Sequence, residues 1–121
     1  MTETERVEMT RAYIALSNAH RLEQTLFLFE DDATYYSDYV GAFDGKAAIA
    51  RMMEAFYQRC PDIYWQVEEY RYSNSEDAVT FEFIRHATDR ESGEPVSAAG
   101  RDIVRFSDRG LIRRVEVYKP V

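Results

Sequence analysis

Residues 78–87 read AVTFEFIRHA, and their alternation decides the class of fold. Val79, Phe81 and Phe83 recur every second residue, which is the period of a strand with one face in a core. Arg85 joins that face near the strand's end. Thr80, Glu82, Ile84 and His86 fall on the other side. Outward from this stretch the same period continues. Strands are expected over Ile63–Tyr72, Ala78–Ala87, Val96–Phe106 and Leu111–Tyr118. The segments between them, Ser73–Asp77, Asp89–Pro95 and Ser107–Gly110, are rich in turn formers. Short turns between long strands predict antiparallel hairpins.

Upstream the period changes to that of a helix. Met9, Ala12, Tyr13 and Leu16 fall at i, i+3, i+4, i+7 and predict a first amphipathic helix. Leu22, Leu26 and Phe29 share one face of a second, which should end at Glu30-Asp31-Asp32. Ala33–Asp38 reads as a short strand and Tyr39–Gly45 as a loop with two glycines. Lys46–Arg59 is a third helix with Ile49, Met52, Met53 and Phe56 inward, closed by Cys60-Pro61. Helices first and a meander after them predict an α+β fold, three helices on one face of a curved, mainly antiparallel sheet. With 121 residues and no linker or repeat, one domain spanning 1–121 is expected.

Nine Tyr and seven Phe are many for so short a chain, and they suit an internal cavity or a sheet face that sticks to something. The net charge of −7 argues against nucleic-acid binding, which needs clustered Lys and Arg. From Arg101 onward the balance is positive, so either the basic C-terminal strands lie beside acidic neighbours or pair across a dimer, or they make a locally positive wall for an anionic ligand. A single cysteine, Cys60, allows no internal disulfide and fits a reducing compartment. No apolar run approaches the length of a membrane span, and the start of the chain lacks an apolar signal core. A cytoplasmic protein is expected. With no glycine-rich phosphate loop, no Ser-His-Asp arrangement and no His/Cys metal set, the expected chemistry is cofactor-independent.

Two residues before Val104 on the core face of its strand stands Asp102. An ionised carboxylate is costly to bury, so it must be paired, hydrogen-bonded or protonated. It is either a structural partner for Arg85, Arg105 or a tyrosine, or a pocket acid able to move a proton.

Three stretches carry a family likeness. Leu28-Phe29-Glu30-Asp31-Asp32-Ala33-Thr34, then Gly45-Lys46-Ala47-Ala48-Ile49, then Asp102-Ile103-Val104-Arg105-Phe106 with Gly110-Leu111-Ile112, resemble the SnoaL-like branch of the nuclear-transport-factor-2 superfamily, to which ketosteroid isomerases also belong. The resemblance covers nearly the whole chain. It implies a cone-shaped cavity between helices and concave sheet, a small apolar or aromatic ligand, and commonly a homodimer through the sheet. Asp102 matches the isomerase aspartate that is kept protonated to bind a developing oxyanion. The general-base position falls on Ser37, with Asp38 one residue later. The oxyanion tyrosine falls near Tyr13, and the third-helix aromatic on Met53, with Tyr57 one turn further.

On this resemblance the catalytic candidates are Asp102, Tyr13 and Asp38. Phe81, Phe83, Arg85 and Val104 would face the ligand from the strands, and Tyr35, Tyr36, Tyr57, Trp65 and Tyr118 would either line the cavity or fill it. The last strand stays ambiguous. Val115 and Val117 argue for one face, whereas the family register puts Arg114, Glu116 and Tyr118 inside, where Glu116 would pair with Asp102. Three functions are open: a cyclase, isomerase or dehydratase acting on a hydrophobic carbonyl compound, a non-catalytic ligand-binding dimer, and a structural dimer whose aromatics fill the cavity.

Overall fold

The computed structural model describes residues 1–121. Helices α1 (Glu3–Asn18) and α2 (Leu22–Leu26) precede strands β1 (Phe29–Ser37) and β2 (Gly41–Asp44). Helix α3 (Lys46–Arg59) follows, then β3 (Tyr64–Gln66), β4 (Tyr70–Ser73), β5 (Ala78–His86), β6 (Ala98–Phe106) and β7 (Ile112–Tyr118). The seven strands form one curved mixed sheet in the order β2-β1-β7-β6-β5-β3, with β4 also on β5. All pairs are antiparallel except β1 with β7. The α+β class and the three helices on one sheet face are as the sequence predicts. No helix is long and apolar enough to cross a membrane.

Three local features differ from the sequence expectation, each for a physical reason. Helix α2 stops at Leu26, because Phe29 pairs with Ile112 in the sheet instead of completing a helical stripe. The segment expected to be a loop after Ser37 turns back as β2, which pairs with β1 from Thr34↔Asp44 to Ser37↔Gly41. Gly45 then takes φ +88° and turns the chain into α3, a conformation that an L side chain rarely adopts. Finally, Ile63–Tyr72 is two strands. Gln66 pairs with Ile84 and Tyr70 with Phe81, so four steps on one strand oppose three on the other. The extra residue is a bulge, which bends the strand and turns Tyr70 toward the helices.

The inward stripe of α1 is also rotated by one residue. Thr10, Tyr13, Ile14 and Ser17 are buried, while Ala12 is exposed. The two hydroxyls are accommodated because each donates to a carbonyl one turn back, Thr10 Oγ1 to Arg6 O at 2.9 Å and Ser17 Oγ to Tyr13 O at 2.8 Å. Between these helices and the concave sheet lies one apolar core, built around Phe29, Ile49, Val104, Ile112 and Val115. Two side-chain links tie the end of α1 to β3. Asn18 exchanges hydrogen bonds with the Trp65 backbone at 2.7 and 2.9 Å, and His20 Nε2 bonds Ile63 O at 2.7 Å.

Candidate functional site

Strand register places the candidate residues on two opposite faces. Phe81 pairs with Asp102, and Asp102 with Val117. Directly opposed residues share a face, so Phe81, Asp102 and Val117 all point toward the helices. There Asp102 and Val117 border a cavity of about 30 Å3. Its walls are Tyr13, Ile14 and Ser17 from α1, Met52, Met53, Phe56 and Tyr57 from α3, and Tyr35, Ser37, Trp65, Phe83, Arg85, Asp102 and Val117 from the sheet. That volume holds two or three waters at most, each needing about 10–15 Å3. The cavity is therefore far narrower than the deep pocket the resemblance implies, and much of it is occupied by aromatic rings and methionines.

Asp102 is 5% exposed. Its carboxyl group makes no hydrogen bond within the protein and no ion pair, and Arg105 is committed elsewhere. Burial alone pushes it well above the usual carboxylate range. Tyr13 and Tyr35 flank it. Burial raises the Tyr13 hydroxyl well above the ordinary phenol range, with Tyr35, Asp102 and Tyr57 adding to the shift. Burial raises Tyr35 too, Asp102 adds to it, and Arg85 partly opposes it. Neither hydroxyl bonds to another protein group. The site thus gathers three proton-bearing groups with unused hydrogen-bonding capacity in an apolar wall.

The other lining residues are more fully engaged. Tyr57 donates its hydroxyl to Ser17 O at 2.9 Å and stacks on His20 with ring centroids 4.4 Å apart. Phe83 lies over Gly100, its partner across the sheet. Phe81 packs on Tyr70 at 5.1 Å, and Val104 is fully buried. Both sit behind the cavity wall in the core. Trp65, Met53, Phe83 and Arg85 do line it.

Four candidates lie outside. Ile103 pairs with Glu116, which puts Glu116 and its neighbour Tyr118 on the outer sheet face. The valines decide the register of the last strand, because Val115 and Val117 fill the core. Glu116 accepts from Arg105 Nε at 2.6 Å, Arg114 Nε at 3.2 Å and the Tyr118 hydroxyl at 2.6 Å. Burial alone would raise its pKa, but these donors and charges hold it below the usual value. A carboxylate pair with Asp102 is excluded by the opposite faces.

Asp38 is exposed. It accepts from the Tyr36 hydroxyl at 2.6 Å and from the Lys119 backbone N–H at 2.9 Å. The bond from Tyr36 is the larger cause of its lowered pKa. Tyr36 leans on Tyr118, ring centroids 5.8 Å apart. At this step of β1 the cavity receives Ser37 instead, whose Oγ accepts from Tyr39 N–H at 3.0 Å. Sequence reasoning left Ser17, Ile14 and Val117 out of the site. The buried hydroxyl at Ser17 had no sequence signal, whereas Val117 was available from strand alternation.

Helices packed on the concave face of a curved mixed sheet make the nuclear-transport-factor-2-like α+β fold. The chain belongs to the SnoaL-like domain family, whose model matches residues 10–115. Among curated proteins no sequence matches. Among solved structures, a Mycobacterium tuberculosis protein in complex with estradiol-17beta-hemisuccinate is 19% identical. It aligns over 97% of this chain and 95% of its own, with a TM-score of 0.82. A Catenulispora acidiphila protein with a ketosteroid isomerase-like fold, in complex with trimethylamine, is 16% identical over 94% and 86%, TM-score 0.81. An NTF2-like protein of unknown function from Exiguobacterium is 18% identical over 90% and 95%, TM-score 0.82.

Proposed function

We propose that the chain is a cofactor-independent enzyme that polarises the carbonyl group of a small hydrophobic compound, with Asp102 as the acid. The observation that carries this reading is the Asp102 carboxyl, buried at the cavity wall without a hydrogen-bond partner or a cation. Such a group is expensive to keep in a structural role, since an unused buried polar group costs about 1–3 kcal/mol. A protonated Asp102 and the Tyr13 or Tyr35 hydroxyl can donate together to a carbonyl oxygen and stabilise the negative charge that develops there.

The cavity has no second carboxylate and no histidine to take a proton from carbon. This favours a reaction in which the substrate supplies its own nucleophile as an enol, an intramolecular aldol-type cyclisation, over a two-group isomerisation. The enol carbon bonds to the carbonyl carbon as that C=O π bond opens, and Asp102 delivers its proton to the new alkoxide oxygen. The proton released by the enol O–H returns Asp102 to its acid form through solvent. Met52 and Met53, which are flexible, and Phe56 must shift to admit a substrate.

A homodimer through the outer sheet face belongs to the same proposal. That face is rich in charge of both signs and carries Ile84 exposed. A non-catalytic binding role is the second reading, favoured by the small cavity and by neighbours whose complexes hold small ligands. The deciding assay follows cyclisation of a synthetic poly-β-ketone by absorbance. Asp102→Asn keeps the size of the side chain and a donor but cannot release a proton. A loss of about 100-fold or more supports catalysis, and equal rates for both proteins leave the binding role.

A further inference from the structure

Arg85 is the one cation among the cavity walls. It stands on the inward face of β5, opposite Trp65. Its guanidinium lies 5.2 Å from the Tyr39 ring centroid and 5.3 Å from that of Phe56. No carboxylate comes within ion-pair distance and no acceptor receives its N–H groups. Other half-buried arginines of the chain behave differently. Arg105 binds Glu76 and Glu116, and Arg114 binds Glu116 and Thr34. A guanidinium held by aromatic faces keeps its donor edge free, in the geometry that suits a bidentate acceptor.

Arg85 and Asp102 also stand apart along one wall. Asp102 pairs with Phe81, and Arg85 is four residues further along β5. At about 3.3 Å per residue that is roughly 13 Å of backbone. Tyr35 lies within the electrostatic reach of both.

We infer that the ligand is an oxo acid, an apolar body whose carboxylate binds Arg85 while a remote carbonyl group meets Asp102. This rests on the cavity being the ligand site, as proposed above, and adds the charge of the ligand and its orientation. The chain's acidic balance gives anions no general attraction, so selectivity for an anion must come from this one group.

The test uses 5-oxo-5-phenylpentanoate and its methyl ester, which differ only in the charged end. Trp65, the single tryptophan, lines the cavity and reports binding through its fluorescence. The acid should bind the native protein more tightly than the ester. Arg85→Met should weaken the acid about 10- to 100-fold and leave the ester within about twofold, since hydrogen bonds to charged groups are of that size. Arg85→Lys should restore part of the loss. Asp102→Ala should weaken acid and ester alike. Equal binding of acid and ester to the native protein, with Asp102→Ala still weakening both, overturns the anion site and keeps the cavity as a ligand site. No Trp65 response to either compound overturns both.

Discussion

The Phe83 ring occupies the space that a Cβ on Gly100 would need. A methyl group there would stand 2.6 Å from Phe83 Cζ and 2.8 Å from Tyr118 O. The two residues face each other across β5 and β6, so the glycine lets the ring lie flat against the sheet beside the cavity.

Gly100→Ala should therefore drive Phe83 off its seat and into the cavity. Overpacking of this kind costs about 1–3 kcal/mol. Thermal unfolding should show the loss, and a shifted Trp65 emission should show that the cavity has changed. An unchanged melting temperature with unchanged emission would mean that the ring moves away freely.

Asp102 and Glu116 should give opposite pH signatures. The Asp102 pKa is raised in the folded state, so its contribution is fully present below the unfolded value of about 3.9 and is lost as pH rises through the folded pKa. Asp102→Asn should thus gain stability relative to the native protein as pH rises, reaching about 0.5–2 kcal/mol. Denaturant unfolding between pH 4 and 9 measures it. A constant difference across that range would contradict the raised pKa.

Glu116 behaves in the reverse sense. Its lowered folded pKa contributes stability above the unfolded value of about 4.3, lost as pH falls through the folded value. Glu116→Gln removes a charge partner from both Arg105 and Arg114 and should cost about 1.5–3 kcal/mol at neutral pH. Because Glu116 lies on the outer face, binding at the cavity should stay the same. A matching loss of ligand affinity would argue against the separation of the two faces.

If the outer face is a dimer interface, sedimentation at micromolar concentration should give twice the 14.2 kDa chain mass. Ile84→Glu, at a site 46% exposed in the isolated chain, should return the monomer without unfolding it. A native protein that sediments at 14.2 kDa removes the dimer.

The sheet was legible because its strands alternate over long stretches. Val79, Phe81 and Phe83 fix the inward face, and that face carries Asp102 and Arg85 with it. The inward placement of Asp102 and Arg85 was therefore readable from period alone. Glu116 and Tyr118 were misplaced where a family register competed with Val115 and Val117, and burial of the valines decides it. Asp38 missed by one residue, because a single step on a strand reverses the face and the pairing of β1 runs unbroken from Thr34 to Ser37. The bulge between Gln66 and Tyr70 had no local signal, since its cause is the pairing with β5. Nor does a composition rich in aromatics say whether the rings surround a space or fill it. Here they leave about 30 Å3.

The parallel pairing of β1 with β7 has a consequence for how the molecule is made. Tyr35 meets Val115, 80 positions later in the chain. Two walls of the cavity, Ser37 and Val117, are neighbours only through that pairing. During synthesis the N-terminal helices and β1 leave the ribosome well before their partner exists. The edge of β1 that β7 will take must wait, open to other chains, until that strand arrives. Closure over so long a separation is slow. Loss of the final dozen residues would strand the earlier ones without a core, so a nascent chain cut short there is a candidate for aggregation and disposal, not a weakened version of the protein.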